Sequence, residues 1–208
     1  LPATYLDYPV IDGDLHDMRF LDSKGVIIGL HGKMHTGKSA LARSLQEKNP
    51  DSVIMSFAGK LRGVLSHLNI PAEREPLQKL GQGLRDVWPD IWVHAIRKDV
   101  AEHLDMGKTV IFDDLRYPNE FDFIKSQDGL LVKLVADTNI RWDRYKDSSK
   151  FDPSLTRVYW DYRQEHISEV LLDDKPLDWT VIIDTNDLSK KDMAKVAATL
   201  ALTIQAVK

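Results

Sequence analysis

The chain has 208 residues, of which 43% are hydrophobic and 29% charged, the balance of one globular domain with at most a modest appendage. Its 28 Lys and Arg against 32 Asp and Glu give a formal charge of −4, which does not advertise a long nucleic acid as partner, and no run approaches the ~18 apolar residues of a membrane span. Cysteine is absent, which excludes disulfides, thiolate metal sites and a cysteine nucleophile and suits a reducing cytoplasm.

Residues 1–24 are rich in Asp, Pro and Tyr and show no sustained period, so they are expected to be an extension that packs on the domain through Tyr5, Tyr8 or Phe20, or a short hairpin. They lack a basic n-region followed by an apolar h-region, so no secretory leader is expected. The domain itself is expected over 25–208. Its first segment, Val26-Ile27-Ile28-Gly29-Leu30, is a buried-strand pattern. Gly32-Lys33-Met34-His35-Thr36-Gly37-Lys38-Ser39 follows and fits G-x-x-x-x-G-K-[ST] at every fixed position, and from Ala40 the pattern is helical. Strand, glycine-bounded loop and helix form the context in which this pattern holds phosphate. Glycine lets the backbone curl round the anion, so that successive N–H groups and the helix N-terminus point at it. Residues 32–40 are therefore the candidate nucleotide-binding stretch, with Lys38 reaching the β- and γ-phosphates and Ser39 offering a hydroxyl to Mg²⁺.

The rest of the chain alternates. Strands are expected at Ser52–Phe57, Lys108–Asp114, Leu130–Val135 and Trp179–Asp184. Helices are expected from Ala58, from Glu73 to Val87, after Asp90, after Pro118 to about Gln127, over His166–Leu172, and from Ser189, where Ser189 and Asp192 have the spacing of a capping box. In the second of these, Leu77, Leu80 and Leu84 form an apolar stripe, with Gln78 and Arg85 on the adjacent one; in the third, Trp92, Ile96, Val100 and Leu104 form a buried ridge. The last helix is expected to bury Met193, Val196, Leu200, Ile204 and Val207. Residues 137–163 interleave Arg141, Arg144, Lys150, Arg157 and Arg163 with aromatic residues, and Pro153 suggests an irregular loop. Five strands separated by helices predict a three-layer α/β domain, a parallel sheet covered on both faces with its ligand at the carboxyl ends of the strands. The strand ending in Asp113-Asp114 supplies an acid for Mg²⁺, with Asp114 the first choice and Asp113 the alternative. His31 and His35 are four apart but lie at a strand end and turn, so no metal site is expected there.

A phosphate loop alone leaves a small-molecule kinase, a GTPase switch and a motor ATPase open. The chain has no guanine-reading N-K-x-D tetrapeptide, and its size favours a compact kinase over a motor. Several blocks over most of 26–207 resemble the bacteriophage-type deoxynucleoside monophosphate kinases, a branch of the nucleoside monophosphate kinase superfamily. The most specific is Asp114-Leu115-Arg116-Tyr117-Pro118-Asn119-Glu120, similar to that family's D-[VL]-R-[FY]-P-N-E. Ser56-Phe57-Ala58 with Leu61, Gln78-Lys79-Leu80-Gly81 with Arg85, Asp90-Ile91-Trp92-Val93, His166-x-Ser168-Glu169 and Asp184-Thr185-Asn186 are similar to further blocks. The N-terminal extension has no counterpart in that pattern, and 137–163 diverge from it.

The resemblance implies γ-phosphoryl transfer from ATP and Mg²⁺ to a deoxynucleoside monophosphate, in a phosphate-loop kinase fold with substrate-binding helices at about 58–105 and a mobile lid at about 137–163. On that reading Arg85 and Arg116 bind the acceptor phosphate, Phe57, Lys60 and Gln78 lie on the acceptor side, and Glu120 and Glu169 orient the arginines. Arg141 and Arg144 are the lid candidates, and Asn186 lies near the donor base. The substrate is a small nucleotide, with neither long nucleic acid nor membrane as partner, and homodimers are common among such kinases. Two other readings stay open: a kinase of another small metabolite, and a nucleotide-responsive binding or assembly protein.

Overall fold

A computed structural model describes residues 25–149, 151–173 and 175–207, so the extension expected at 1–24 lies outside the described residues. In chain order the elements are β1 (Val26–His31), α1 (Lys38–Lys48), β2 (Ser52–Met55), α2 (Phe57–His67), α3 (Arg74–Val87), α4 (Ile91–Asp105) and β3 (Thr109–Phe112). They continue with α5 (Pro118–Ser126), β4 (Leu130–Val135), α6 (Thr138–Lys146), α7 (Arg157–Gln164), α8 (Ile167–Val170), β5 (Val181–Asp184) and α9 (Lys190–Val207).

The strands form one parallel sheet in the order β2-β3-β1-β4-β5, which places β1 and the loop that follows it at the centre. Every residue of β1 is buried, because helices cover both faces. Alternation along the strand divides the core. Ile27 faces Phe57, Val100, Phe112 and Phe123, whereas Val26, Ile28 and Leu30 face Leu41, Leu45, Met193, Ala197 and Ile204. α1 and α9 thus close one face, and α2, α4 and α5 the other. The register Gly29↔Phe112 brings the end of β3, with Asp113 and Asp114 just beyond it, beside the loop after β1.

The expected three-layer architecture is the one observed. The ridge Trp92, Ile96, Val100 and Leu104 is buried, and the Ser189–Asp192 capping box forms, with Ser189 Oγ donating to Asp192 Oδ2 at 2.6 Å and Asp192 N to Ser189 Oγ at 3.2 Å. One expectation needs correction. In α3 the leucines are only half-buried, and the buried residue is Gly81, because α2 approaches closely enough for a side chain there to meet Leu61 Cδ2 at 3.1 Å. Pro153 lies in the irregular stretch 151–156, as expected, between α6 and α7. Trp142, Tyr145 and Trp160 pack together, with Trp142 and Trp160 centroids 5.4 Å apart, and this small core supports α6 and α7. Arg157 lies 5.4 Å from both indoles and pairs with Asp161 at 2.9 Å. Among the described residues no helix is long and apolar enough to cross a membrane.

Candidate active site

The loop between β1 and α1 is shaped by two glycines with left-handed φ. At Gly32 φ is 147°, and a side chain would collide with the Leu134 carbonyl and lie 2.7 Å from Thr36 Oγ1; at Gly37 φ is 103°. The Lys38 ammonium donates to the carbonyls of Gly32 and, at 2.9 Å, Lys33, and Thr36 Oγ1 donates to the Lys33 carbonyl at 2.9 Å. The loop is thereby curled round the cation that is expected to meet phosphate. Burial, together with the nearby Arg116 guanidinium, pulls the Lys38 amine down to about 8 against the pull of Glu169, Asp113 and Asp114. That Lys38 feels all four groups shows that the loop, the β3 acids and the arginine block converge.

The two acids after β3 divide their work. Ser39 Oγ donates to Asp113 Oδ2 at 2.9 Å. Asp114 instead accepts from Ser56 Oγ at 2.5 Å and from the amides of Phe57 and Ala58 at 3.0 Å each, so it caps α2. The acid that meets Ser39 is therefore Asp113, the alternative of the pair, while Asp114, the first choice, is engaged with α2. The chain bends at Asp113, just beyond β3, so that one acid meets α1 and the next meets α2.

On α3, Arg74, Gln78, Gly81 and Arg85 succeed one another at four, three and four residues and share one face. Arg85 Nη2 donates to Glu120 Oε1 at 3.2 Å, and its guanidinium carbon lies 3.6 Å from the centroid of the Tyr117 ring. The other Glu120 oxygen accepts from the amides of Arg116 and Tyr117 at 2.8 and 3.0 Å. Burial and neighbouring Asp114 nevertheless push the Glu120 carboxyl up to about 7, opposed by Arg85 and the two amides. Arg116 Nη1 donates to Glu169 Oε1; burial alone would lower Arg116, but Glu169 outweighs it and the net shift is upward. Arg74 Nη2 lies 3.9 Å from the same Glu169 oxygen, while it donates to the Arg163 carbonyl at 3.0 Å, and its Nη1 lies 3.2 Å from Met34 Sδ.

From the other side, α6 leans on the loop. Arg141 Nη1 is 3.4 Å from the Met34 carbonyl and 2.8 Å from Gln164 Oε1, and Arg144 Nη1 is 3.4 Å from the His35 carbonyl and 3.1 Å from Thr185 Oγ1. Arg141 is only 3% exposed and sits 5.4 Å from the Trp160 ring, so its side chain is tied into the fold. Asn186 Oδ1 accepts from the Asp137 amide at 2.7 Å, and the buried Thr185 donates to the Thr36 carbonyl at 3.0 Å, which docks the turn after β5 onto the loop.

The structure thus gathers Lys38, Ser39, Arg116, Glu169, Arg141 and Arg144 round residues 32–40, with Arg85 and Glu120 joined to them through the Arg116 amide and Asn186 through Arg144, Gln78 half-buried on the α3 face and Ala40 exposed in the first turn of α1. It does not bring Phe57 or Lys60 there. Phe57 is 1% exposed and stacks on Phe112 with centroids 4.3 Å apart, because it opens α2 on the side facing the sheet. Lys60, one turn on, points to α4 and pairs with Asp99 at 2.7 Å. Arg74 and Tyr117 are additions that the sequence reading missed. Arg74 had a signal, since it stands eleven residues, or three helical turns, before Arg85.

Residues 28–175 match the AAA domain family AAA_18. No protein of curated function matches the chain. Among solved structures it is similar to a sugar kinase from Janibacter sp. HTCC2649, at 14% identity and a TM-score of 0.54 over 88% of this chain and 97% of that one. It is similar to a gluconokinase from Sinorhizobium meliloti 1021, at 19% identity and 0.52 over 91% and 97%, and to a Deinococcus radiodurans tunicamycin resistance protein, at 16% and 0.51 over 85% and 95%. These likenesses speak to the fold, a five-stranded parallel sheet with a central phosphate loop. The chain belongs to the AAA_18 family of AAA domains and has the fold of the phosphate-loop kinases.

Proposed function

We propose that the protein transfers the γ-phosphoryl group of ATP to a small acceptor that itself carries a phosphate, with a deoxynucleoside monophosphate as the first candidate. The observation that carries this reading is the arginine set on the acceptor side of the loop. Arg74, Arg85 and Arg116 come together about Glu120 and Glu169, and Arg116 lies near enough to depress Lys38. Planar guanidinium groups suit bidentate recognition of phosphate. An acceptor already ionised needs no general base, so positive charge on both sides of the transferred group and accurate placement are sufficient.

In this scheme the loop amides and Lys38 hold the donor phosphates, and Arg85 and Arg116 hold the acceptor phosphate with Arg74 beside them. Ser39 and Asp113 are oxygen ligands of the kind Mg²⁺ takes alongside substrate phosphates, and the ion would neutralise charge on the donor. Helices within 58–105 supply the acceptor side, and residues 137–163, through Arg141 and Arg144, cover the donor loop as a lid. The choice of a deoxynucleoside monophosphate rests on the resemblance of the block Asp114–Glu120 to that kinase family.

A hydroxyl acceptor is the second reading, favoured by the names of the Janibacter and Sinorhizobium structures. Incubation with ATP, Mg²⁺ and separate panels of dNMPs, NMPs, sugars and sugar acids, with product analysis by ion-exchange chromatography, tests both. A diphosphate product supports the first reading. Turnover only with unphosphorylated alcohols replaces it by the second, and binding of ATP without turnover on any acceptor removes both in favour of a nucleotide-responsive binding protein.

A further inference from the structure

Four residues after Glu169 the chain places a second carboxylate, Asp173, against the opposite half of the site. Asp173 Oδ2 lies 3.2 Å from Lys33 Nζ, and its Oδ1 lies 3.3 Å from His31 Nε2 and 3.5 Å from Lys133 Nζ. These partners surround the root of the phosphate loop. His31 is the last residue of β1, Lys33 follows Gly32, and Lys133 is the β4 residue in register with His31. His31 is 3% exposed and stacks on Trp179 with centroids 5.1 Å apart, and Lys133 Nζ lies 5.7 Å from the same ring. Nδ1 of His31 faces the Leu115 carbonyl at 3.0 Å, which can only accept, so that nitrogen carries a hydrogen. The contact from Nε2 to the carboxylate is a hydrogen bond when the ring carries its second proton. Burial disfavours the charge on Asp173, yet the His31 and Lys33 contacts hold its carboxyl down at about 2.

We infer that Asp173 is a positioning residue for the phosphate loop, and that the turn 169–173 is a brace joining the two halves of the site. Through Glu169 it holds Arg116 on the acceptor side; through Asp173 it holds Lys33 and His31 at the root of the donor loop. The inference rests on residues 32–39 being the donor loop. Physically, one carboxylate offsets three cationic or protonatable groups in a half-buried space. Without it the Lys33 and Lys133 ammonium groups lose their shared counter-ion beside Gly32, whose backbone is packed closely against the Leu134 carbonyl. Asp173 touches no phosphate in this scheme. It acts by fixing the residues that fix the loop.

The test is calorimetric binding of the magnesium complex of β,γ-methylene-ATP to the wild type, Asp173→Asn, Asp173→Glu, Lys33→Met and the Asp173→Asn/Lys33→Met double variant, with melting temperatures alongside. The expected loss for Asp173→Asn is about tenfold, the size of one charge-assisted hydrogen bond. Asp173→Glu should recover most of it, and Lys33→Met should add little in the Asp173→Asn background. Unchanged or tighter binding in Asp173→Asn, or fully additive losses in the double variant, overturns the inference. If Asp173→Asn fails to fold, Asp173→Glu and Lys33→Met carry the measurement, and Lys33→Met binding as well as the wild type overturns it. If the wild type does not bind the analogue, the donor-loop reading falls by itself. Amide resonances of Gly32 and Lys33 compared between the wild type and Asp173→Glu then decide the brace, with unmoved resonances overturning it.

Discussion

The guanidinium carbon of Arg85 sits over the ring of Tyr117, 3.6 Å from its centroid, while Glu120 holds one of its edge nitrogens at 3.2 Å. A long side chain ordinarily has many rotamers, and here a face and an edge are both fixed before any ligand arrives. Arg85→Lys keeps the charge and loses both the stacking surface and the fork. It should raise KM for a monophosphate acceptor by about tenfold, and Arg85→Ala by more, with KM for ATP unchanged in both. Initial-rate kinetics with each substrate varied in turn check this, and a change confined to ATP would remove Arg85 from the acceptor side.

Glu120 gives the site a pH signature. Its carboxyl is raised to about 7, so between pH 4.5 and 7 the folded protein keeps a proton that the unfolded chain releases. Stability therefore falls as pH rises through that window, by on the order of 3 kcal/mol from this group. Glu120→Gln should flatten the fall while leaving the arginine without its counter-ion. Urea unfolding at intervals from pH 4.5 to 7.5 measures the difference in slope, and parallel profiles for the two proteins would contradict it.

Lys38 runs the other way. With its amine lowered to about 8, the folded state releases a proton before the unfolded chain does, so this group's contribution to stability increases between pH 8 and 10.5. Phosphate binding restores the charge, so ATP binding above pH 8 should take up a proton. Calorimetry in buffers of different ionisation enthalpy reads that uptake directly, and it should vanish in Lys38→Ala. The same variant should lose roughly 10²–10³-fold in turnover with its melting temperature little changed.

Asp113 and Asp114 separate by experiment. Asp113→Asn should raise the Mg²⁺ concentration needed for half-maximal activity and leave the melting temperature nearly untouched, since its described partner is the exposed Ser39. Asp114→Asn weakens three hydrogen bonds at the start of α2 and should cost about 1 kcal/mol of stability. The reverse pattern, measured by Mg²⁺ titration and thermal melts, would exchange their roles.

Much of this arrangement is legible in the amino-acid sequence, because the informative pieces are local. The glycine-bounded loop, the apolar strands and the block Asp114–Glu120 each occupy one short stretch, and the strand–helix alternation dictates a parallel sheet. What escaped depends on direction. Phe57 follows Ser56 at the start of a helix, and whether its ring meets a ligand or Phe112 is set by the rotation of α2, which Asp114 fixes from 57 residues away. Asp113 and Asp114 are chemically alike, and only the bend beyond β3 sends one to Ser39 and the other to α2. The aromatic residues from Trp142 to Trp160 carry no clean period, so the small core that makes helices of 138–146 and 157–164 is visible only once they meet. Arg74 was hidden by its setting between Glu73 and Glu75, where it resembles an ordinary charged first turn.

The strand order has a directional consequence. The acceptor arginines stand over β3 and α3, the turn at Asn186 over the β4–β5 edge, and the phosphate loop over β1 between them. On the proposed division of the site, donor and acceptor therefore face each other across the strands, from β1 to β3, and not along them. The β1–β3 pairing, Val26↔Thr109 to Gly29↔Phe112, is then what sets the two halves side by side.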